Sequence, residues 1–278
     1  MSALARPYTA ALAARFQLTL QYRAAALAGF ATQLWWGGLK VMVYAAFFAS
    51  APAAAARAPI SLADTITYTW IAQAFLVLQP WTADPEVSQA VRTGGVGYDR
   101  LRPVDTYAFW YARGLAWTLA RVAPRAVLMA ATAAVVVPLL GLQDWSWRPP
   151  AGVVAGLAFA VSLALAAMLS AATVMLLNVL VAATLNERGV NTLAMPVTIL
   201  FSGNIIPLAL FPESFQPWLL AQPFAGVLDI PCRIYFGGLE GSGIWLGLGL
   251  QAFWTAAFVL LGRAALSRVM ARLQVQGG

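Results

Sequence analysis

Long apolar runs, broken by short polar ones, set the pattern of this chain, and the longest polar interruption, Val91 to Asp105, reads VRTGGVGYDRLRPVD. An α-helix needs about 20 apolar residues to cross a bilayer core of roughly 30 Å, and several runs meet that requirement without a charge. They are continuous and lack the ten-residue alternation of an outer-membrane strand, which argues against a β-barrel. The pattern predicts an all-α polytopic membrane protein with six transmembrane helices, approximately 24–48, 64–81, 122–142, 151–185, 190–210 and 243–261.

The segments between these runs refine the layout. Residues 1–23 place Arg6, Arg15 and Arg23 among Leu4, Tyr8, Leu12, Phe16, Leu20 and Tyr22. A spacing of four puts an apolar stripe on one helix face, as in a helix lying in the membrane interface; the plainer alternative is a frayed tail. It is not a cleavable signal peptide, because the following hydrophobic run is too long and no small-residue cleavage site precedes an exported domain. Asp64 is placed to cap the second span. Residues 106–121 mix Trp110, Tyr111 and Trp117 with Arg113 and Arg121, as expected at headgroup level, and Pro124 then permits a kink. The stretch 151–185 exceeds the core thickness, so tilt or projection into water must absorb the surplus. Pro196 and Pro207 break the fifth span.

Composition narrows the class. The 278 residues are 61% hydrophobic and 10% charged, with mean hydropathy +0.75, outside the range of soluble domains. A single cysteine, Cys232, excludes an internal disulfide, and the absence of histidine removes the usual metal ligand and acid/base group. The net charge of +7 reflects cationic loops more simply than nucleic-acid binding. Thirteen arginines fall in one set of loops (Arg6, Arg15, Arg23, Arg92, Arg100, Arg102, Arg113, Arg121, Arg125, Arg188, Arg263, Arg268, Arg272) and three in the other (Arg57, Arg148, Arg233). The positive-inside rule therefore places both termini and the loop 83–105 in the cytoplasm.

Candidate chemistry is sparse. A GxxxxGK[ST] phosphate loop is excluded, since the only lysine is Lys40, within the first span. No Ser/His/Asp set, HExxH motif or paired intramembrane carboxylates occur, so the chain is not expected to be an enzyme or to hold a metal or cofactor. The spans also lack the acidic residues of ion-coupled carriers, which assigns the energy source to another subunit. Gly94, Gly95 and Gly97 superficially resemble GxGxxG, but no strand precedes them and the third glycine is missing, so nucleotide binding there is rejected. Lys40 either snorkels to the interface or lines a pathway. Asn178, Asn204, Gln73 and Gln79 are more often interhelical glue than substrate contacts. Gly152 with Gly156 and Gly243 with Gly247 offer small-xxx-small faces. The turn at Glu187 and Arg188 is either a second cytoplasmic contact or merely solvated.

The run RTGGVGYDRLRPVD from Arg92 resembles the pattern R-x-G-x-φ-x-Y-x-x-L-R-P-V-D, with φ apolar, found between the second and third spans of type-2 ABC exporter permeases, particularly a bacterial six-span subgroup. Ser202-Gly203-Asn204-Ile205-Ile206-Pro207 and Leu210-Phe211-Pro212 are similar to elements near that family's fifth span; Gly97 departs from the usual small or acidic residue. The resemblance implies a bacterial inner-membrane subunit that exports a drug, antibiotic, peptide or lipid. It further implies two soluble ATPase subunits, which carry the ATP and Mg, and a second permease, identical or homologous. Arg92, Gly94, Gly95, Asp99, Arg100, Arg102 and Pro103 would form a short coupling helix seated on the ATPase; otherwise they are a solvated loop that sets topology. Residues 211–242 would re-enter the membrane from outside, with Phe211, Phe215, Trp218 and Phe224 gating a pathway that includes Lys40 and Asn204. An interfacial aromatic belt is the alternative. A secondary carrier and a non-transporting scaffold are the rival functions.

Overall fold

The computed structural model describes residues 6–101 and 103–272, and no side chain is described at Thr19, Ala54, Arg100 or Arg272. The chain is 80% helix, with no strand among the described residues. In chain order the helices are α1 (Arg6–Leu20), α2 (Arg23–Ser50), α3 (Leu62–Ala74), α4 (Pro85–Thr93), α5 (Val96–Arg100) and α6 (Thr106–Ala131). They continue as α7 (Val153–Thr184), α8 (Glu187–Phe201), α9 (Gln216–Ala221), α10 (Asp229–Tyr235) and α11 (Ser242–Arg272).

Among the described residues, three helices are long and apolar enough to cross a membrane: Thr106–Leu139, Val153–Thr184 and Ser242–Ala271. Their outward faces carry Val127, Leu139, Val153, Leu157, Trp245, Leu246 and Leu260, all exposed, an apolar surface that suits lipid and not water. This is an all-helical membrane protein. α2 is 28 residues long and carries Gln33, Trp35, Gly37, Gly38 and Lys40 in its middle.

The other expected spans take shorter forms. Ser61, and not Asp64, caps α3, its side chain accepting from the Asp64 amide; the helix runs 13 residues and passes into a 3-10 turn at Leu76–Leu78. α8 has 15 residues and carries Pro196 in its interior, and the chain turns at Gly203 before Pro207. The headgroup-level stretch 106–121 and the third span expected at 122–142 form one helix that continues past Pro124. Its irregularity lies further on, in a π turn at Thr132–Val136 just ahead of Pro138. A π turn absorbs a local mismatch in the backbone ladder, and here it does so next to the residue that cannot donate.

α7 and α11 form the closest helix pair, and α10 inserts beside them. Gly247 of α11 permits that approach: a Cβ there would stand 2.9 Å from Ile230 Cγ2. The small-residue face at 243 and 247 thus seats the inserted segment, whereas a Cβ at Gly152 would meet open space. α1 lies along α6, with Leu12 and Phe16 half-buried and Arg15, at 7% exposure, the most enclosed side chain of the helix.

Candidate functional site

The polar stretch becomes two short helices bracketed across one end of the bundle. Asp84 caps α4, its side chain accepting from the Glu86 amide at 2.9 Å, with Pro85 at the first helical position, where a missing N–H costs nothing. Val87 and Val91, four apart, turn inward and join Val96, Trp110, Met175, Val179, Leu266 and Met270 in one apolar cluster. This cluster binds the bracket to the ends of all three long helices. α4 ends on Gly94, whose φ of 75° is a left-handed conformation that glycine adopts without strain, and α5 follows at once.

Charge clamps the base of the bracket. Arg15 of α1 reaches Asp84 at 3.1 Å and also pairs with Glu86, which in turn pairs with Arg113 of α6. Burial pushes the Arg15 guanidinium below its ordinary value, and Asp84 opposes that shift. The backbone approaching α4 is held as well: the Ala83 amide donates to Asn191 Oδ1 at 2.9 Å, and the Asp84 amide to Asn178 Oδ1 at 2.8 Å. Asn178 therefore does act as glue, toward backbone. Asp105 caps α6 and pairs with Arg263 of α11 at 2.7 Å.

The tip of the bracket is open. Arg92, Thr93 and Pro103 are exposed, and Tyr98 and Leu101 stand out at 76% and 81%. Arg92 lies 3.8 Å from Glu187, and the two line a cleft of about 690 Å³ with Arg188, Asn191, Trp81 and Met195. The two polar turns, 94 residues apart in sequence by their numbering at 92 and 186, thus meet in one place. Asp99 differs from its expected role as an outward charge: it is buried, and accepts from Trp110 Nε1 at 2.9 Å. Arg102 lies outside the described residues, as does the side chain of Arg100. Gly95 is half-buried, and a Cβ there would meet only ordinary contacts.

At the opposite end Lys40 and Asn204 come together: Lys40 Nζ donates to the Asn204 carbonyl at 2.6 Å and to its Oδ1 at 3.1 Å. Tyr44 donates to the Ile205 carbonyl at 2.9 Å. Beneath them Asp229, fully buried, accepts from the Leu208 amide at 3.0 Å and pairs with Arg233 Nε at 2.6 Å, with the Tyr68 hydroxyl 3.2 Å away. Gly203, at φ 85°, lets the chain pass this hydroxyl, since a Cβ would lie 2.3 Å from it. Phe211 is half-buried, whereas Phe215 and Trp218 are exposed at 59% and 79%, and no ring contact joins the three among the described residues. A single copy of the chain does not assemble them into a gate.

Sequence reading missed Arg15, Asp84, Glu86, Tyr98 and Leu101 at the first end and Asp229 at the second. An Asp-Pro-Glu start with valines four apart was the available signal for α4. No family model and no curated protein matches the chain.

Proposed function

We propose that this chain is the membrane-spanning permease subunit of an ATP-driven ABC exporter, with the α4–α5 bracket as its seat for a soluble ATPase. One observation carries the reading. A short bracket presents Arg92, Tyr98 and Leu101 outward, while its base is fixed by ion pairs and apolar packing to α1, α6, α7 and α11. A push on such a tip moves the ends of the long helices together, which is what coupling requires. The resemblance of Arg92–Asp105 to exporter permeases supports the same reading, as does the meeting of Arg92 with the Glu187 turn in one cleft.

In this reading α2, α3 with its following turn, and α8 complete six spans with the three long helices, and the arginine-rich end faces the cytoplasm of a bacterial inner membrane. Residues 211–242 form the outer re-entrant segment. Two ATPase subunits, which hold ATP and Mg, and a second permease complete the assembly; the cargo is amphipathic or hydrophobic. Asp229 is an acidic group at depth, yet its bonds to Arg233, Tyr68 and Leu208 satisfy it, which suits a structural tie better than the proton relay of a secondary carrier.

The test is purification of the full chain in mild detergent with ATP hydrolysis measured on what co-purifies. A near-stoichiometric soluble ATPase, lost on Arg92→Glu/Tyr98→Ala while the chain still inserts, is expected. No associated ATPase, together with transport that collapses with an ionophore, would identify a carrier instead.

A further inference from the structure

The elbow between α1 and α2 and the flank of α6 enclose a groove of about 550 Å³, separate from the α4–α5 tip. Leu18, Leu20, Leu27 and Leu128 make its wall apolar, and Arg23, Arg121 and Arg125 make it cationic. Arg15 and Glu86 also line it, but they pair with each other, and Asp84 and Arg113 engage them further. Arg23, Arg121 and Arg125 make no ion pair among the described residues.

Arg121 and Arg125 stand one turn apart, and like charges at that spacing repel. Arg121 lies over the Trp117 ring at 4.2 Å, and Arg125 Nη2 donates to the Ala25 carbonyl at 3.3 Å, which draws the elbow against α6. The Nε of Arg125 is buried and has no hydrogen-bond partner. Gly29 provides the room for this guanidinium: a Cβ there would stand 2.4 Å from Arg125 Cζ. The one carboxylate of the lining, Glu86, is taken up by Arg15 and Arg113, so two adjacent cations with one donor unmet constitute a site lacking its anion.

Depth identifies the source of that anion. Counting back from Leu139, the end of the long helix, the about 20 residues that span a bilayer core begin near Ala120. Arg121 therefore lies at the boundary between acyl chains and headgroups, with Arg125 about 6 Å deeper on a stem able to reach outward. A free phosphate would use the arginines alone, whereas a phospholipid also uses the leucine wall.

We propose that this groove binds one anionic phospholipid, with its phosphate held between Arg121 and Arg125, Arg23 at the rim, and an acyl chain along Leu27 and Leu128. The proposal rests on the membrane-spanning helices and not on the transport reading, so its test needs no ATPase. The delipidated full chain in detergent is titrated with dioleoylphosphatidylglycerol, dioleoylphosphatidylcholine or glycerol phosphate, and bound molecules are counted by native mass spectrometry. One phosphatidylglycerol per chain is expected, in preference to phosphatidylcholine, and undisplaced by excess glycerol phosphate. Arg121→Gln/Arg125→Gln should weaken it about 30-fold and Arg23→Gln about fivefold, each arginine contributing on the order of one headgroup attraction. Equal binding of the two lipids, displacement by glycerol phosphate, or wild-type affinity in the double variant would overturn the proposal. Should the double variant fail to fold, wild-type affinity in Arg23→Gln, at an exposed position, would overturn it equally.

Discussion

At the arginine-rich end, Arg15, Asp84, Glu86 and Arg113 are tied together beneath a tip that leaves Arg92, Tyr98 and Leu101 exposed, whereas at the other end Asp229 gathers Arg233, Tyr68 and the Leu208 amide and projects no charge of its own. Both ends bury ionised groups, and both do so to join segments far apart in sequence. The difference is what stands above the knot. One end carries an exposed, mixed polar and apolar surface on a rigid base, as a soluble partner requires; the other closes over a loop anchored by Lys40 and Tyr44.

The comparison can be broken at several points, and the largest effect is expected at the far end. Asp229→Ala leaves Arg233, its side chain only 11% exposed, without its carboxylate and should cost about 3–5 kcal/mol, seen as a lowered unfolding midpoint in detergent. Asp84→Ala removes the α4 cap and one partner of Arg15; because Glu86 remains, about 3 kcal/mol is expected, accompanied by protease sensitivity at the bracket. Unchanged protease resistance would show that the base is not clamped by charge. Trp110→Phe deletes the donor to buried Asp99 and should cost about 1–3 kcal/mol in the same unfolding assay. Arg92→Ala breaks only an exposed pair, so stability should shift by less than about 1 kcal/mol while partner-dependent ATP hydrolysis falls. A large loss of stability there would make Arg92 part of the base and not of the tip.

How legible this was in the sequence varies by residue. The α4–α5 region was visible because its charges and glycines interrupt an apolar chain, and α7 came out within two residues, at 153–184 against 151–185. The Arg15–Asp84 pair was not visible, since it links positions 69 apart and neither a helical stripe nor a motif reports such a contact. Arg15 lies on the same face as the apolar stripe of α1, three residues from Leu12 and seven from Tyr8, yet a stripe shows which face is covered and not which partner covers it. Pro124 permits a kink, and it sits inside a helix that continues from Thr106 to Leu139, because a proline removes only one backbone bond. Asp99 read as an outward charge because spacing in a short helix does not reveal that a tryptophan eleven residues on will claim it.

The central claim is that the exposed tip near Arg92, and not the opposite end, meets the soluble ATPase. Cys232 is the single cysteine and is fully buried, so an introduced thiol can be labelled selectively. Tyr98→Cys and Trp218→Cys, each carrying a thiol-linked photo-cross-linker in native membranes, test the two ends side by side. A covalent adduct between the chain and a nucleotide-binding soluble protein from position 98, with none from position 218, is predicted. An adduct from position 218, or none from position 98 while transport continues, would contradict the account.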